Sequence, residues 1–411
     1  MCRSLEKKDK ILKIIDKIAF FFFVVLIFFL PISNAIIESS CGFIFLILLV
    51  RSIIEKPNLS KIKVFFSERI NLYLLIFFIA VGVSVFVSSL LWRQSLKTLI
   101  TKWGEGVLLF YAARIFLNKK QIKILCLIMV FSVCLLSVDG IYQKITGVDF
   151  IRTRMALKTK FATAITGTFR HYNDFATFLG TGFFITIGFF GYARKLWQKM
   201  FLSLTLSAAF INIFFTFSRG AWFALMTVSL LAIIFIKNNK TKIILLLLLL
   251  SFFGVLLSFL PFRDRLFMIF QPGGDASRFK IWRLSWAMFL ESPFFGKGVG
   301  TFIAHFPEQI NLNVQYTHNC YLQILTETGL LGFISFFWFL GEVLGREYKR
   351  LKENTDGLSF GLFFGLLTFL THSFFDTQLF SLKLSILFWL LISFSTIYLV
   401  PFDQSKKLWK E

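Results

Sequence analysis

The sequence predicts an all-α polytopic membrane protein, and three observations carry that prediction. Apolar residues fill 56% of the 411 positions and charged residues only 16%, more apolar surface than a water-soluble chain of this length can hide. About twelve stretches of some twenty mostly apolar residues recur along the chain, the length that crosses a hydrocarbon core as a helix. The basic excess, a net charge of +23, gathers between those stretches, where cytoplasmic loops carry the surplus that orients a membrane protein.

Three uses of that excess compete: nucleic acid, orientation in the membrane and an anionic substrate. Because Lys and Arg cluster between apolar runs, orientation comes first and no nucleic-acid partner is expected. The 58 Phe residues suit lipid-facing positions about as well as Leu, Ile and Val and form no binding motif. The five cysteines, Cys2, Cys41, Cys126, Cys134 and Cys320, lie mostly in or beside apolar segments without framework or metal-ligand spacing. Cys320 reads as an interfacial core cysteine in preference to a thiol nucleophile.

Taken in order, Met1 to Lys17 is a charged run ahead of a long apolar segment with no small-residue cleavage site, an uncleaved first span. Spans are expected near 18–34, 36–53, 70–90, 95–116, 122–142, 174–192, 200–217, 220–236, 242–260, 319–342, 358–375 and 383–400. The first two form a hairpin around Pro31-Ile32-Ser33-Asn34, and the fourth is the weakest because it carries Lys97, Lys102 and Glu105. With a cytoplasmic amino terminus, the inside connections hold Arg51, Lys56, Lys61, Lys63 and Arg69, then Arg114, Lys119, Lys120 and Lys123, then Arg194, Lys195 and Lys199. Lys237, Lys240 and Lys242 follow, then Arg346, Lys349, Arg350 and Lys352, and the tail with Lys406, Lys407 and Lys410 also falls inside. One registration thus satisfies the positive-inside rule along a single integral domain, 1–411.

Two outer segments break the rule. The first basic loop, 143–173, holds Lys144, Arg152, Arg154, Lys158, Lys160 and Arg170; the large loop, 261–318, holds Arg263, Arg265, Arg278, Lys280, Arg283 and Lys297. Positive charge there opposes the orientation signal, so a use on that side must offset it, and holding an anion such as phosphate is the simplest. Within the large loop Phe279, Trp282, Trp286 and Phe289 recur at helical spacing before Ser292-Pro293, predicting a short amphipathic interfacial helix.

Candidate chemistry lies on the same outer side. Arg219, in Phe217-Ser218-Arg219-Gly220-Ala221-Trp222, stands in a tight hairpin where no orientation signal requires a charge, so it either snorkels or pairs inside a cavity. Arg278 opens the amphipathic helix after Gly273-Gly274-Asp275-Ala276-Ser277, where a guanidinium fork and free amides suit phosphate. Arg283 and Arg265 are candidates of the same kind, and lipid headgroups would explain all three nearly as well. Gly167-Thr168-Phe169-Arg170-His171-Tyr172-Asn173-Asp174-Phe175 is the polar entrance to another span, with Asn173 as its expected cap. Gly296-Lys297-Gly298-Val299-Gly300 follows no buried strand, so its glycines are expected to turn a loop tightly and not to bind nucleotide. His171, His305 and His372 share this side without ligand spacing, so no protein-held metal and no cofactor are expected.

His318 stands where the large loop returns to apolar helix. A histidine at a helix mouth is more often interfacial than catalytic, but this one shares its side with both basic loops and Arg219. His318-Asn319, nine residues, then Gly329-Leu330-Leu331 resembles the His-Asn/Ser/Gln, nine-residue, Gly pattern of the O-antigen ligases, in the wider family that includes O-antigen polymerases and bacterial protein O-oligosaccharyltransferases. Ser218-Arg219-Gly220, Gly167-Thr168-Phe169 with Asn173, and the large loop with Arg278 and Trp282 leading to Gly296, Gly298 and Gly300 agree, so the resemblance spans about 167–332.

That resemblance implies a membrane glycosyltransferase whose glycan donor hangs from undecaprenyl pyrophosphate at the periplasmic face of the bacterial inner membrane; the charge parity adds that both termini are cytoplasmic, and the histidine spacing that no metal is needed. On that resemblance, Arg219 and Arg278 hold the pyrophosphate, with Arg265, Arg283 and Arg170 as further candidates. Asn319 contacts substrate, and His318 is the general base for a hydroxyl of lipid A–core or another glycan acceptor. The chemistry is compatible: a neutral imidazole can take that proton, fixed arginines stabilise a departing pyrophosphate, and one displacement inverts the anomeric centre. A polymerase of the same fold would take a second lipid-linked repeat as acceptor. A transporter or flippase would instead show internal repeats and charge near the midplane, whereas the unusual charge here lies at the outer face.

Overall fold

A computed structural model describes residues 2–55, 68–88, 91–159, 162–236, 239–267, 276–305, 316–353 and 356–399. The helices are α1 (Cys2–Phe29), α2 (Asn34–Glu55), α3 (Arg69–Val87), α4 (Trp92–Thr98), α5 (Glu105–Phe116), α6 (Lys119–Thr146), α7 (Tyr172–Phe189) and α8 (Leu196–Phe215). They continue as α9 (Arg219–Ile234), α10 (Asn239–Ser258), α11 (Leu260–Phe267), α12 (Ala276–Glu291), α13 (Cys320–Glu353), α14 (Gly357–His372) and α15 (Leu382–Leu399). A small antiparallel hairpin, β1 (Leu157–Lys158) with β2 (Thr163–Ala164), lies between α6 and α7. Lys56, Lys61, Lys63, Lys160, Lys237, Gly273-Gly274-Asp275, Lys406, Lys407 and Lys410 lie outside the described residues.

Every predicted span contains a helix. Among the described residues six helices are long and apolar enough to cross a membrane, namely α2, α3, α6, α7, α8 and α13, while α9, α14 and α15 are shorter apolar helices. The fourth predicted span, which carries Lys97, Lys102 and Glu105, is broken into α4 and α5 by a π-helical turn, Leu99–Gly104. Such a turn re-aims side chains, and here Lys102 Nζ donates to the Phe380 carbonyl at 3.2 Å.

The connections sort into two groups that alternate along the chain. At one end Thr168 Oγ1 donates to Pro31 O (2.6 Å), Gln94 Nε2 to Gly300 O (2.7 Å), and Cys320 N to Ser373 O (2.9 Å). At the other, Arg114 pairs with Glu68 (2.5 Å) and Tyr192 Oη donates to Asp356 (3.1 Å), which Arg350 also approaches. Loops that charge parity assigns to one side therefore touch one another.

Helices in lipid gain little from apolar burial and associate through small residues that admit close approach. Gly357, Gly361 and Gly365 form such a stripe on α14 against α7: a Cβ on Gly357 would stand 2.2 Å from Gly188 O, and one on Gly361 2.9 Å from Phe184 O. This antiparallel pair sets the first turn of α7 beside the last turn of α14 and the loop after it.

The long α13 is broken at Gly329 (φ +65°, ψ −168°). The amides and carbonyls freed by the break are taken up by the segment before it. Lys297 N and Gly298 N donate to Thr326 O and Glu327 O, and Leu330 N and Leu331 N donate to Pro293 O and Phe294 O. Gly296, Gly298 and Gly300 all have positive φ, so the glycine run is a tight plug in a broken helix.

The helix predicted in the large loop is α12, and its aromatic residues divide between buried and exposed positions. Ile281, Ser285, Met288 and Phe289 are buried, while Phe279 and Trp286 are exposed. Aromatic residues suit an interface on their own account, so their spacing marks the helix without marking its buried face.

Candidate functional site

The segment Thr317–Cys320 is held from three sides. Trp282 Nε1 donates to Thr317 O (2.9 Å), and Gln323 Oε1 accepts from Thr317 N (2.9 Å). Gln323 Nε2 in turn donates to Glu327, whose other oxygen accepts from Gly300 N at 2.8 Å. The glycine plug, the break in α13 and the His318 segment are thereby one connected unit. Asn319 Oδ1 accepts from Tyr321 N and Leu322 N, both 3.0 Å, so the side chain proposed for substrate caps α13.

His318 itself sits at φ +53°, a left-handed conformation uncommon for a residue with a Cβ. Its Nδ1 lies 3.0 Å from Asp376 Oδ1, with the imidazole about one-third exposed and the carboxylate nearly buried. An ionised carboxylate only accepts, so Nδ1 carries the proton, and in the neutral imidazole Nε2 is the nitrogen with the lone pair. Asn173 Nδ2 donates to Asp376 Oδ2 (2.6 Å) and Thr377 N to Oδ1 (2.9 Å). Burial alone would raise the Asp376 carboxyl, but the hydrogen bond and charge of His318, with His171 and Arg278 adding, hold it well below the usual carboxylate range. The expected cap role passes from Asn173 to His171, whose ring accepts from Asn173 N. Burial presses His171 below its ordinary value, which favours the neutral ring that accepts this bond. Asn173 is thereby free to face Asp376.

His372 is buried between Thr177 Oγ1 (2.7 Å) and Ser218 Oγ (3.2 Å). Ser218 caps α9 by accepting from Ala221 N, and a Cβ on Gly220 would lie 2.5 Å from Phe375 Cβ. The run Ser218-Arg219-Gly220 thus has a local cause: serine starts the helix, glycine lets the Phe375 loop close on it, and Arg219 projects between them.

Arg219 and Arg278 line one cavity of about 360 Å³ with Trp222, Phe279, Trp282 and Phe375. Its other walls are mainly apolar, a setting in which a fixed guanidinium acts more strongly on an anion than it would in water. His318 is not one of its lining residues, but its neighbours reach them: Trp282 of the lining donates to Thr317 O, and Phe375 of the lining precedes Asp376. The other predicted arginines fall elsewhere. Arg265 donates to the carbonyl of Phe217 (3.3 Å), another residue with positive φ. Arg283 is exposed on α12. Arg170 lines a separate cleft with Arg152, Arg154 and Lys383. His305 Nδ1 approaches Thr301 O at 3.1 Å within its own turn.

Asp376 is the residue that reading the chain missed. Its signal is present in Phe374-Phe375-Asp376-Thr377-Gln378, a polar break between two apolar runs that parity places on the His318 side.

Residues 202–337 match the family model described as O-Antigen ligase. The "Teichuronic acid biosynthesis protein TuaE" of Bacillus subtilis (strain 168) is 25% identical over 326 residues, 69% of this chain and 64% of that protein. The chain therefore spans less than two thirds of that relative. The matched stretch contains Arg219, Arg278 and His318 and excludes Asn173 and Asp376. Over residues 202–337 this membrane protein matches the O-antigen ligase family, the family that its His318-Asn319 motif resembles.

Proposed function

We propose that the protein is an inverting, metal-independent glycosyltransferase of the ligase or polymerase type. It moves a glycan from undecaprenyl pyrophosphate to a hydroxyl of a second glycan, lipid A–core or another, at the periplasmic face of the inner membrane. The observation that carries this reading is the His318–Asp376 pair beside a cavity lined by Arg219 and Arg278. Asp376 fixes the imidazole with Nε2 available to accept the acceptor's proton. The acceptor oxygen attacks the anomeric carbon as the bond to the pyrophosphate oxygen breaks, and the two guanidinium groups neutralise the charge that gathers there. The family match and the relative named for teichuronic acid biosynthesis support a place in glycan biosynthesis. A transporter of lipid-linked anions would need neither a histidine oriented by a carboxylate nor release of pyrophosphate.

The test uses purified protein with undecaprenyl-pyrophosphate-linked glycan and a glycan acceptor. Transfer should release one undecaprenyl pyrophosphate per bond formed. Arg219→Gln and Arg278→Gln should each lower donor kcat/KM by roughly 10–100-fold, the loss of a charge-assisted hydrogen bond, with membrane insertion unchanged. Movement of intact lipid-linked glycan without new glycosidic bonds would establish the transporter instead.

A further inference from the structure

The second cleft is lined by four basic side chains that the chemistry above does not use. It measures about 230 Å³, below the roughly 300–1,000 Å³ of drug-sized ligand sites, which suits a headgroup-sized anion more than a sugar chain. Arg152, Arg154, Arg170 and Lys383 line it, with Asp174 as the carboxylate among the lining residues. None of the four cations has a carboxylate within ion-pair distance among the described residues. Asp174 is engaged by Ser381 Oγ at 3.0 Å.

Lys383 is 9% exposed, and its ammonium donates to Pro31 O (2.5 Å) and Thr168 O (3.3 Å). It stands at the start of α15, where the helix dipole disfavours a cation. The starts of α2, at Asn34, and of α7, at Asp174, meet the same cleft, so three positive dipole ends and four cations converge. Among the described residues Arg154 Nε is buried with no hydrogen-bond partner. The loop is held in this form by Asp149, which accepts from the amides of Arg152 and Arg154 on either side of Thr153 at φ +52°. Such an accumulation of unneutralised charge is costly unless an anion occupies it.

The segment Phe375–Lys383 borders both clefts: Phe375 lines the Arg219–Arg278 cavity, Ser381 and Lys383 line the second, and Asp376, the partner of His318, lies between. Resting on the proposed function, we infer that the second cleft holds the phosphate or pyrophosphate headgroup of a lipid-linked acceptor, so that two lipid-linked substrates flank His318. This is the arrangement a polymerase needs, and a ligase whose acceptor lacks such a group does not.

The test uses the full chain in zwitterionic lipid nanodiscs titrated with undecaprenyl pyrophosphate, the bound equivalents counted by native mass spectrometry. Wild type should bind two. Arg170→Gln with Arg154→Gln should bind one, and Arg170→Gln alone, at an exposed position that threatens folding least, should weaken the second equivalent about tenfold or more. Arg219→Gln should remove the other equivalent. One equivalent in wild type, unchanged by the Arg154 and Arg170 substitutions, overturns the inference and leaves the donor site standing. Phosphatidylglycerol displacing the second equivalent also overturns it, because the cleft is then a phospholipid headgroup site. Two equivalents persisting in Arg219→Gln count against the donor assignment and leave the second cleft untouched.

Discussion

At the residue scale, the site depends on a contact across 58 positions, His318 to Asp376. A general base contributes about 10²–10⁴-fold, so His318→Ala should reduce transfer by that order in the purified-protein assay with donor affinity retained. Asp376→Asn keeps the shape but presents the wrong partner to Nδ1. A loss of roughly 10²-fold or more is expected, by analogy with the tautomer effect in hydrolase triads. Because the folded Asp376 carboxyl is held below its ordinary value, near 3.9 when unfolded, its stabilisation is present above that value and lost as pH falls through the folded one. Thermal unfolding of wild type and Asp376→Asn should therefore converge as pH falls from about 5 into the acid range. A difference that instead grew as the pH fell through the acid range would contradict the sign. His318 and Arg219 were legible as a histidine at a helix mouth and an arginine in an unneeded place. Asp376 was not, since a lone carboxylate between apolar runs acquires meaning only from what packs against it.

At the element scale, the decisive feature is a broken helix with a glycine plug. Gly329 has φ +65°, and a Cβ there would lie 2.4 Å from the backbone of Phe294; one on Gly296 would lie 2.3 Å from that of Glu327. Neither neighbour is a flexible side-chain end, so Gly329→Ala and Gly296→Ala should each cost on the order of 1–3 kcal/mol or more. Thermal unfolding in detergent should show the loss, and transfer should fall with it because Glu327 and Gln323 link the plug to Thr317. A variant with unchanged melting and unchanged transfer would refute this coupling. Reading the chain located Gly329 and the glycine run separately. Their interlock was hidden because positive φ is a property of the folded backbone, and glycine only permits it. The same limit applied to α12, where the spacing predicted a helix and only the fold showed which of its residues pack inward.

At the scale of the whole molecule, the alternation of basic connections and the sorting of loop contacts into two ends describe the same topology from independent quantities. They predict opposite accessibility for exposed positions on the two ends. In a chain with its native cysteines replaced, Lys158→Cys and Arg263→Cys should react with a membrane-impermeant maleimide from outside, while Lys195→Cys and Lys352→Cys should react only after permeabilisation. One pair member labelling with the wrong group would remove a crossing from the proposed twelve. The fold class, the positions of the apolar helices and the expectation that His318, Arg219, Arg278 and two basic loops share one side could all be read along the chain. The reason is that span length and loop charge are local quantities that a bilayer reads directly. Only the tertiary structure decided that Asp376 orients His318, that Asn319 is occupied as a cap, and that Arg170 belongs with Lys383 in a cleft apart from Arg219. Those outcomes follow from the glycine-mediated approach of α7 to α14 and the break in α13, contacts between segments whose separation along the chain carries no information about their distance in space.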